Sequence, residues 1–257
     1  MIRIRQLTKT FHAGTADAVT ALNNVSIELD NDSFVMIAGA NGSGKSTFLH
    51  LLQGRLFPTS GNIWLDDHDI TEWPEHQRSR IMSRVFQDPK SGTAADLTVL
   101  ENFRLASLRT KSKTLRWGTT RRFEEETTAR IASLGLGLEE KLHQKMGGLS
   151  GGQRQILTLL MSMYDHPALL LMDEPTAALD PKSAQLVLET TQALHEKYKT
   201  NIIMITHALP DALRYGNRLL FFREGNIVKD LQGDEKRNCS LSELHSWFSS
   251  QNDHLVQ

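Results

Sequence analysis

The strongest chemical signal in this sequence is a glycine-rich segment at residues 39–47, which reads Gly-Ala-Asn-Gly-Ser-Gly-Lys-Ser-Thr. Residues 39–46 match the spacing G-x-x-x-x-G-K-S/T. Glycines let the backbone turn so that successive N–H groups point at one anion, the following helix adds its positive end, and Lys45 adds a full charge. The segment predicts a phosphate loop (residues 39–46) of a nucleotide site, with contacts from Gly39, Asn41, Gly42, Ser43, Gly44, Lys45, Ser46 and the adjoining Thr47.

The flanking sequence supplies the context that such a loop requires. Residues 34–38 are apolar and predict a buried strand, and Phe48, Leu51 and Leu52 follow with helical spacing. A chance match is expected in about one chain in a hundred of this size at average residue usage. The alternative, a glycine- and serine-rich loop with an unrelated lysine, explains less of the pattern.

A second candidate lies after the apolar run at residues 168–172, where Asp173 and Glu174 follow. An aspartate at the carboxyl end of a buried strand can hold Mg²⁺ through water, with the Ser46 hydroxyl as a direct ligand. Glu174 can polarise an attacking water. An acidic helix cap that leads into a turn is the structural alternative, and this segment alone does not decide between the two.

A third candidate, residues 149–153, reads Leu-Ser-Gly-Gly-Gln and precedes a helical pattern. At a helix N-terminus, Ser150, Gly151, Gly152 and Gln153 can form a second anion-binding pocket. By itself the segment is also compatible with a flexible helix cap, so its interpretation depends on the other two segments.

In this order the three segments resemble those of the nucleotide-binding subunit of ATP-binding cassette (ABC) transporters. The resemblance extends over about residues 2–232. It implies that the chain binds ATP and Mg²⁺ and that Lys45 and Glu174 are catalytic. It also identifies residues 149–153 as the signature segment of that family, which contacts the ATP held by a second copy.

The resemblance assigns roles to further positions. Gln87 matches the catalytic glutamine that senses the metal and the γ-phosphate, next to the contact with the membrane subunit. Asp180 matches the end of a loop that communicates between two subunits, and His207 matches the histidine that donates a hydrogen bond to the γ-phosphate. Phe11 falls where the family stacks an aromatic ring on adenine, and Val19 falls near the sugar. For Phe11, a turn aromatic that covers the small sheet is the alternative.

The elements that carry these motifs predict an α/β fold. Strands alternate with helices, which is typical of a parallel sheet. The resemblance implies a P-loop NTPase (RecA-like) core with an N-terminal antiparallel β subdomain and an inserted α-helical subdomain, all within a single ABC ATPase domain. The expected limits are residues 1–87 and 159–239 for the core, 88–158 for the helical subdomain with the signature segment, and 240–257 for a C-terminal helix and tail.

Local patterns predict individual elements. Apolar and polar residues alternate along residues 2–7 and 19–29, which predicts antiparallel strands with one solvent-exposed face. Residues 74–82 are polar and predict a helix, and residues 124–126 are three glutamates expected at a helix start. Residues 224–226 predict a hairpin turn. Thr98 with Glu101 predicts a capping box.

Composition limits the classes of function. The net charge of −1 gives no global drive toward nucleic acid. The single cysteine, Cys239, excludes an internal disulfide framework. No apolar run approaches the ~18 residues that span a bilayer, so we expect a cytoplasmic protein. The resemblance implies that it lies on the inner face of the cell membrane through a permease. The basic stretch at residues 109–122 is either a solvated arm or a segment near anionic lipid.

The resemblance implies an ATPase that powers transport, with import of a small solute as the expected direction. The expected partners are integral membrane permease subunits, an extracytoplasmic substrate-binding protein acting indirectly, and a second copy that forms a homodimer on ATP binding. The sequence around Gln87 also resembles a bacterial subgroup linked to uptake of aromatic amino acids or related small molecules. A soluble ABC ATPase that transports nothing, as in iron–sulfur cluster assembly, is the alternative. A P-loop kinase would leave residues 150–153 and His207 without roles.

Overall fold

The structure is a computed structural model that describes residues 1–110 and 118–249. Its strands are β1 (Ile2–Phe11), β2 (Val19–Leu29), β3 (Phe34–Gly39), β4 (Ser60–Leu65), β5 (His68–Asp69), β6 (Met82–Val85), β7 (Leu169–Asp173), β8 (Asn201–Ile205), β9 (Arg218–Arg223) and β10 (Asn226–Gln232). Its α-helices are α1 (Lys45–Gln53), α2 (Glu75–Arg78), α3 (Val99–Ala106), α4 (Arg121–Ala132), α5 (Gly151–Ser162), α6 (Pro181–Tyr198), α7 (Leu209–Arg214), α8 (Gly233–Asn238) and α9 (Leu241–Ser249). Across the described ranges, no helix combines the length and the apolar character needed to cross a membrane.

The chain divides into two compact units. The first combines Met1–Arg78 with the chain from Asn201 onward, and the second spans Ser79–Thr200. The phosphate loop therefore lies in the first unit. The acidic end of β7 and the signature segment lie in the second.

The first unit contains an antiparallel sheet with the strand order β2-β1-β4-β5. On β1, Ile2 and Ile4 are buried, and on β2, Ile27 and Leu29 are buried, while the residues between them are more exposed. This alternation places one face of the sheet on the core. The antiparallel strands predicted near the N-terminus are confirmed, but the pattern missed β5, whose two residues are too few to show a period.

The same unit contains the strand run β10-β9-β3-β8, in which β3 pairs in parallel with both β8 and β9. Residues 34–38 of β3 are fully buried, as expected for a parallel strand covered on both faces. Glu224 and Gly225, with φ angles of 47° and 76°, join β9 to β10. Two consecutive positive φ angles are typical of a tight hairpin turn, so the predicted hairpin is confirmed.

The second unit pairs β6 with β7 in parallel and carries α3 to α6. Thr98 and Glu101 form both halves of the predicted capping box at the start of α3. Two short 3-10 helices, Leu138–Lys141 and Met146–Gly148, lead to α5. α5 then packs against α6.

Two predicted helix limits are wrong. The helix expected at residues 74–82 ends at Arg78, and Met82 already begins β6. The physical reason is that Met82 pairs with Leu169 in the parallel β6–β7 ladder, so the backbone at residue 82 must be extended and cannot be helical. α4 begins at Arg121 after a Thr120 cap, so only the first of the three glutamates at residues 124–126 lies in its first turn.

The basic stretch at residues 109–122 forms ion pairs where the structure describes it. Arg109 Nε lies 3.3 Å from Asp165 Oδ2. Arg121 and Arg122 each pair with the glutamate four residues later on α4, at 2.9 and 2.8 Å. The other basic residues of this stretch, Lys111, Lys113 and Arg116, lie outside the described residues.

Candidate functional site

The backbone of the phosphate loop closes only because of its glycines. Gly39 has a φ angle of 151° and Gly44 a φ angle of 100°. A Cβ atom on Gly39 would lie 2.3 Å from the Phe222 carbonyl oxygen, and one on Gly44 would lie 2.4 Å from the Ala21 carbonyl oxygen. Because neither position can accept a side chain, the turn between β3 and α1 requires glycine at both.

The N-terminus of α1 has no side chain to cap it. Gly44 precedes the helix in the left-handed conformation and gives no side-chain hydrogen bond. By contrast, α3 to α6 are capped in order by Thr98, Thr120, Ser150 and Asp180. The first N–H groups of an α-helix have no acceptor within the helix, and their dipoles favour an anion. This helix end therefore fits a phosphate group, which can act as the missing cap.

Lys45 holds its ammonium group against the turn. The residue is 5% exposed, and its Nζ donates to the Gly39 and Ala40 carbonyl oxygens, both at 2.8 Å. The same Nζ lies 3.5 Å from Ser43 Oγ. The positive charge is thus already placed beside the helix end that favours an anion.

The loop also offers a hydroxyl of the kind that binds magnesium. Ser46 is exposed in the first turn of α1, next to the half-buried Thr47, and Asn41 and Gly42 are exposed in the turn itself. Within the described ranges, no group of three or more His, Cys, Asp or Glu side chains is arranged to hold a metal ion. A Mg²⁺ ion here would take most of its ligands from phosphate oxygens and water, which is its usual preference.

Phe11 and Val19 lie opposite each other in the β1–β2 pair. Val19 is 60% exposed, and Lys9 Nζ lies 5.4 Å from the centroid of the Phe11 ring. Further along β2, the Ala21 carbonyl is the group that approaches Gly44. The structure therefore brings the two residues expected at the base and sugar into the neighbourhood of the phosphate loop.

His207 is exposed just beyond β8. The preceding residue, Thr206, donates its N–H to the Ile37 carbonyl at 3.1 Å, and its Oγ1 accepts from the Ala208 N–H at 3.1 Å. Because β8 runs parallel to β3, both strands end at the same edge of the sheet. His207 and the phosphate loop therefore lie at one edge of the first unit.

In the second unit, Asp173 ends β7 and Glu174 follows it. Arg84 Nη2 lies 3.5 Å from Asp173 Oδ2. Glu174 has a φ angle of 48°, a left-handed backbone that is uncommon for a residue other than glycine. Such strained positions cluster at functional sites, where the surrounding structure holds them.

Gln87 is exposed shortly after β6. β6 and β7 run parallel, with Val85 opposite Met172, so the chain leaves both strands at the same edge. The structure thus brings Gln87 close to Asp173 and Glu174 within the second unit.

Ser150 begins α5 with a reciprocal capping box. Ser150 Oγ accepts from the Gln153 N–H at 3.3 Å, and Gln153 Oε1 accepts from the Ser150 N–H at 3.2 Å. Ser150 and Gly151 are exposed, so the helix end is accessible. This end has the elements of the second anion pocket that the sequence predicted.

Asp180 lies near the signature segment within the second unit. Its carboxylate caps α6 by accepting from the Ser183 N–H at 3.0 Å, and the hydrogen bonds from Ser183 lower the pKa of Asp180. A Cβ atom on Gly152 would lie 2.6 Å from the Ser183 side chain. Gly152 therefore allows α5 and the start of α6 to approach closely.

Two polar side chains beside these motifs were missed by the sequence analysis. The Arg84 guanidinium faces Asp173 and lies 4.6 Å from the centroid of the Phe86 ring. Gln155 is buried in α5. The available signal was a polar residue within a pattern otherwise expected to be buried, which is uncommon without a partner.

The chain matches the family model described as ABC transporter over residues 22–177. A curated relative, the tyrosine transport ATP-binding protein of Clostridioides difficile (strain R20291), is 39% identical over 249 residues, which cover 96% of this chain and 98% of the relative. These comparisons confirm the resemblance inferred from the motifs.

Two solved structures carry the same fold. An ATP-binding cassette of Methanocaldococcus jannaschii, described as dimeric in a post-hydrolysis state with ADP and phosphate bound, has a TM-score of 0.74 and 26% identity, covering 90% of this chain and 98% of that one. Another cassette of an ABC transporter, in its ADP conformation, has a TM-score of 0.79 and 26% identity, covering 96% of this chain and 98% of that one. The predicted P-loop NTPase fold is confirmed, and the chain belongs to the ABC transporter family as one of its ATP-binding subunits.

Proposed function

We propose that this chain hydrolyses ATP and that the reaction powers transport through a separate membrane permease. The observation that carries the proposal is the start of α1, where an uncapped helix end, a glycine turn and the buried ammonium group of Lys45 meet. Three sources of positive potential at one point suit a polyphosphate that carries several negative charges. The phosphate contacts come from the loop residues Gly39, Asn41, Gly42, Ser43, Gly44, Lys45, Ser46 and Thr47.

Magnesium fits the oxygen donors that the chain offers. The Ser46 hydroxyl would bind the ion directly, Gln87 would contribute its amide oxygen, and the Asp173 carboxylate would hold the ion through water. When bound, the ion neutralises charge on the β- and γ-phosphates.

In this proposal two further side chains act on the reaction and two contact the base and the sugar. Glu174 takes the proton of the attacking water, and its left-handed backbone, with a φ angle of 48°, is the kind of strain found at functional sites. His207 donates a hydrogen bond to the γ-phosphate. Phe11 stacks on the adenine ring, with Val19 beside the sugar.

We propose a homodimer as the active form, with each ATP held between the phosphate loop of one copy and the signature segment of the other. The exposed start of α5 supports this arrangement, because its helix dipole favours an anion and the Ser150 side chain accepts from only one of the first N–H groups, that of Gln153. Asp180, close to Gly152 in the same unit, would relay the presence of ATP between the copies. A solved cassette of the family is dimeric with ADP and phosphate bound.

For the physiological role, we propose an importer ATPase that works at the cytoplasmic face of the membrane, against a permease served by an extracytoplasmic substrate-binding protein. Residues 88–158, as the helical subdomain, would meet the permease near Gln87. The name of the 39% identical relative, a tyrosine transport ATP-binding protein, supports an aromatic amino acid as the solute. The iron–sulfur alternative draws no support from the relatives.

Two substitutions in the purified chain test the proposal. Lys45→Ala should weaken ATP binding, measured with a fluorescent ATP analogue, because it removes the charge at the phosphate loop. Glu174→Gln should still bind ATP but hydrolyse it at least about a hundredfold more slowly, since a general base contributes about 10²–10⁴-fold. With ATP it should accumulate as a dimer on gel filtration.

Lys229→Ala serves as a control, because Lys229 is exposed on β10 and its Nζ lies 5.6 Å from the centroid of the Trp247 ring, a contact that involves no residue of the phosphate loop. This variant should bind and hydrolyse ATP like the wild type. A Glu174→Gln chain that stays monomeric with ATP would refute the shared-ATP dimer. One that hydrolyses ATP at the wild-type rate would refute the assignment of the general base.

A further inference from the structure

A buried glutamine on α5 contacts the segments that carry two of the proposed catalytic residues. Gln155 lies about one turn after the Ser150 cap, and its side chain is fully buried. A buried amide costs free energy unless it finds hydrogen-bond partners. Its partners therefore indicate why this position is polar.

Both hydrogens of the Gln155 amide are used. Nε2 donates to the Phe86 carbonyl oxygen at 3.1 Å and to the Pro175 carbonyl oxygen at 2.8 Å. Two carbonyl oxygens can only face the NH₂ end of an amide, so the orientation of the side chain follows from its partners. Gln155 thus acts as a double donor that joins two backbone segments.

These two carbonyls are placed next to the proposed chemistry. Phe86 immediately precedes Gln87, and Pro175 immediately follows Glu174. β6 and β7 end at the same edge, and Gln155 reaches both segments just beyond that edge. A single side chain of the signature helix therefore binds the backbone next to Gln87 and the backbone next to Glu174.

The other end of the amide makes no hydrogen bond of its own. Within the described part of the chain, Gln155 Oε1 is buried and accepts no hydrogen bond. An apolar residue of the same length would avoid this unsatisfied oxygen. The position keeps a polar group whose cost is offset only by the two contacts that it makes.

We propose that Gln155 is a positioning residue that couples the signature helix to Gln87 and Glu174. When ATP bound by another copy contacts Ser150, any displacement of α5 is transmitted through the Gln155 amide to the backbone beside both residues. The second phosphate contact is thereby linked to the alignment of the general base. This inference rests on the roles proposed above for Gln87, Glu174 and the signature segment.

The alternative is that Gln155 only satisfies two buried carbonyls and so contributes to stability alone. The two accounts differ in what they predict for kinetics. A residue that only stabilises the fold lowers the melting temperature and leaves kcat unchanged in the folded protein. A positioning residue lowers kcat while ATP binding at the phosphate loop, in the other unit, stays the same.

The experiment compares Gln155→Met with Thr158→Val in the full chain. Methionine keeps the length and apolar volume of glutamine but offers no donor. Thr158 is also buried on α5 and donates only to the Arg154 carbonyl of its own helix, at 2.8 Å, so its replacement removes a buried hydrogen bond without touching the site. Both variants are measured for kcat and KM for ATP and for melting temperature, with Glu174→Gln alongside.

We expect Gln155→Met to lower kcat by about tenfold or more, since small misplacements of a catalytic group cost this much, with KM for ATP within about twofold of wild type. Thr158→Val should keep kcat within about twofold. Equal kcat in the two variants would overturn the inference. If Gln155→Met does not fold, Gln155→Asn replaces it in the same measurements. Asparagine keeps the amide but is one methylene too short to reach both carbonyls, so the same fall in kcat is expected. A fully active Glu174→Gln would instead overturn the proposed role of Glu174 as the general base, so the two failures are distinguishable.

Discussion

Removal of the Arg78 side chain should destabilise the first unit strongly. Arg78 is fully buried, and its Nη1 donates to the carbonyls of Leu51 and Leu52 at 2.5 and 2.9 Å. Those carbonyls lie in the last turn of α1, where acceptors lack helical donors and a positive charge favours the dipole. The remaining donors reach the carbonyls of Thr71 and Trp73 at 2.6 and 2.9 Å. One side chain therefore caps the phosphate-loop helix at its far end and ties it to the segment before α2.

We expect Arg78→Met to lower the free energy of unfolding by about 4 kcal/mol. All four carbonyls lose a charged donor, but the Leu51 carbonyl keeps the Gly54 N–H at 3.2 Å, so three carbonyls lose the only donor they have among the described residues. Each costs about 1 kcal/mol, the low end of the range for an unsatisfied buried group, because removal of the guanidinium also ends its desolvation. That desolvation lowers the pKa of Arg78 to about 10. The lost charge at the helix end adds about 1 kcal/mol.

Urea unfolding followed by far-UV circular dichroism measures this change, with Arg78→Lys as the comparison. Lysine keeps the charge, but its three donors share one nitrogen and cannot reach the carbonyls of α1 and those of the segment before α2 together. About half of the loss in unfolding free energy should therefore remain. A loss below about 1 kcal/mol for Arg78→Met would refute the reasoning, since solvent or neighbouring donors would then satisfy the carbonyls. The denaturant slope should stay constant, as expected for a change in stability alone.

Three further outcomes are expected. Gly44→Ala should lower both stability and ATP affinity, because its Cβ would lie 2.4 Å from a backbone oxygen at a φ angle of 100°. Urea unfolding and nucleotide titration measure the two effects, and ATP binding at the wild-type affinity would contradict the proposed loop geometry. Burial lowers the pKa of Lys236 to about 8 from 10.5, so the unfolded chain binds more protons between these values and the free energy of unfolding should rise with pH across that window. Lys236→Met should remove this rise in urea titrations at each pH, and an unchanged pH profile would show that another group is responsible. Ser150→Asp should leave the melting temperature nearly unchanged, because aspartate caps helices as well as serine does. It should prevent ATP-dependent dimerisation, because its carboxylate repels phosphate. A dimer of normal affinity would exclude Ser150 from the phosphate contact.

Patterns that involve neighbouring residues predicted much of the fold. The buried run at residues 34–38, the hairpin turn at residues 224–226 and the Thr98 cap each depend on side chains within a few positions of one another. The end of α2 could not be predicted in this way. The chain must be extended by Met82, where it pairs with Leu169 of β7, 87 residues later in the chain, and no local pattern encodes that pairing.

The same distinction applies to the candidate site. The motif residues were named from spacing and from the family resemblance, and their individual roles stay predictions. Gln155 and Arg84 could not be named, because each acquires its partner only through folding. Gln155 contacts the Phe86 carbonyl 69 residues away, and Arg84 faces Asp173 at a separation of 89 residues. Long-range polar contacts of this kind are the part of a site for which a single sequence carries the least information.

The pairing of Phe11 with Val19 has a consequence for the choice of nucleotide. If the base rests on this pair, it meets a ring face and an exposed aliphatic side chain, neither of which distinguishes the hydrogen-bonding edge of adenine from that of guanine. Stacking on an aromatic ring is worth about 1–3 kcal/mol for any base, since every base has a π-face. The subunit should then accept GTP nearly as well as ATP. The relative abundance of the two triphosphates in the cell would decide which one is hydrolysed.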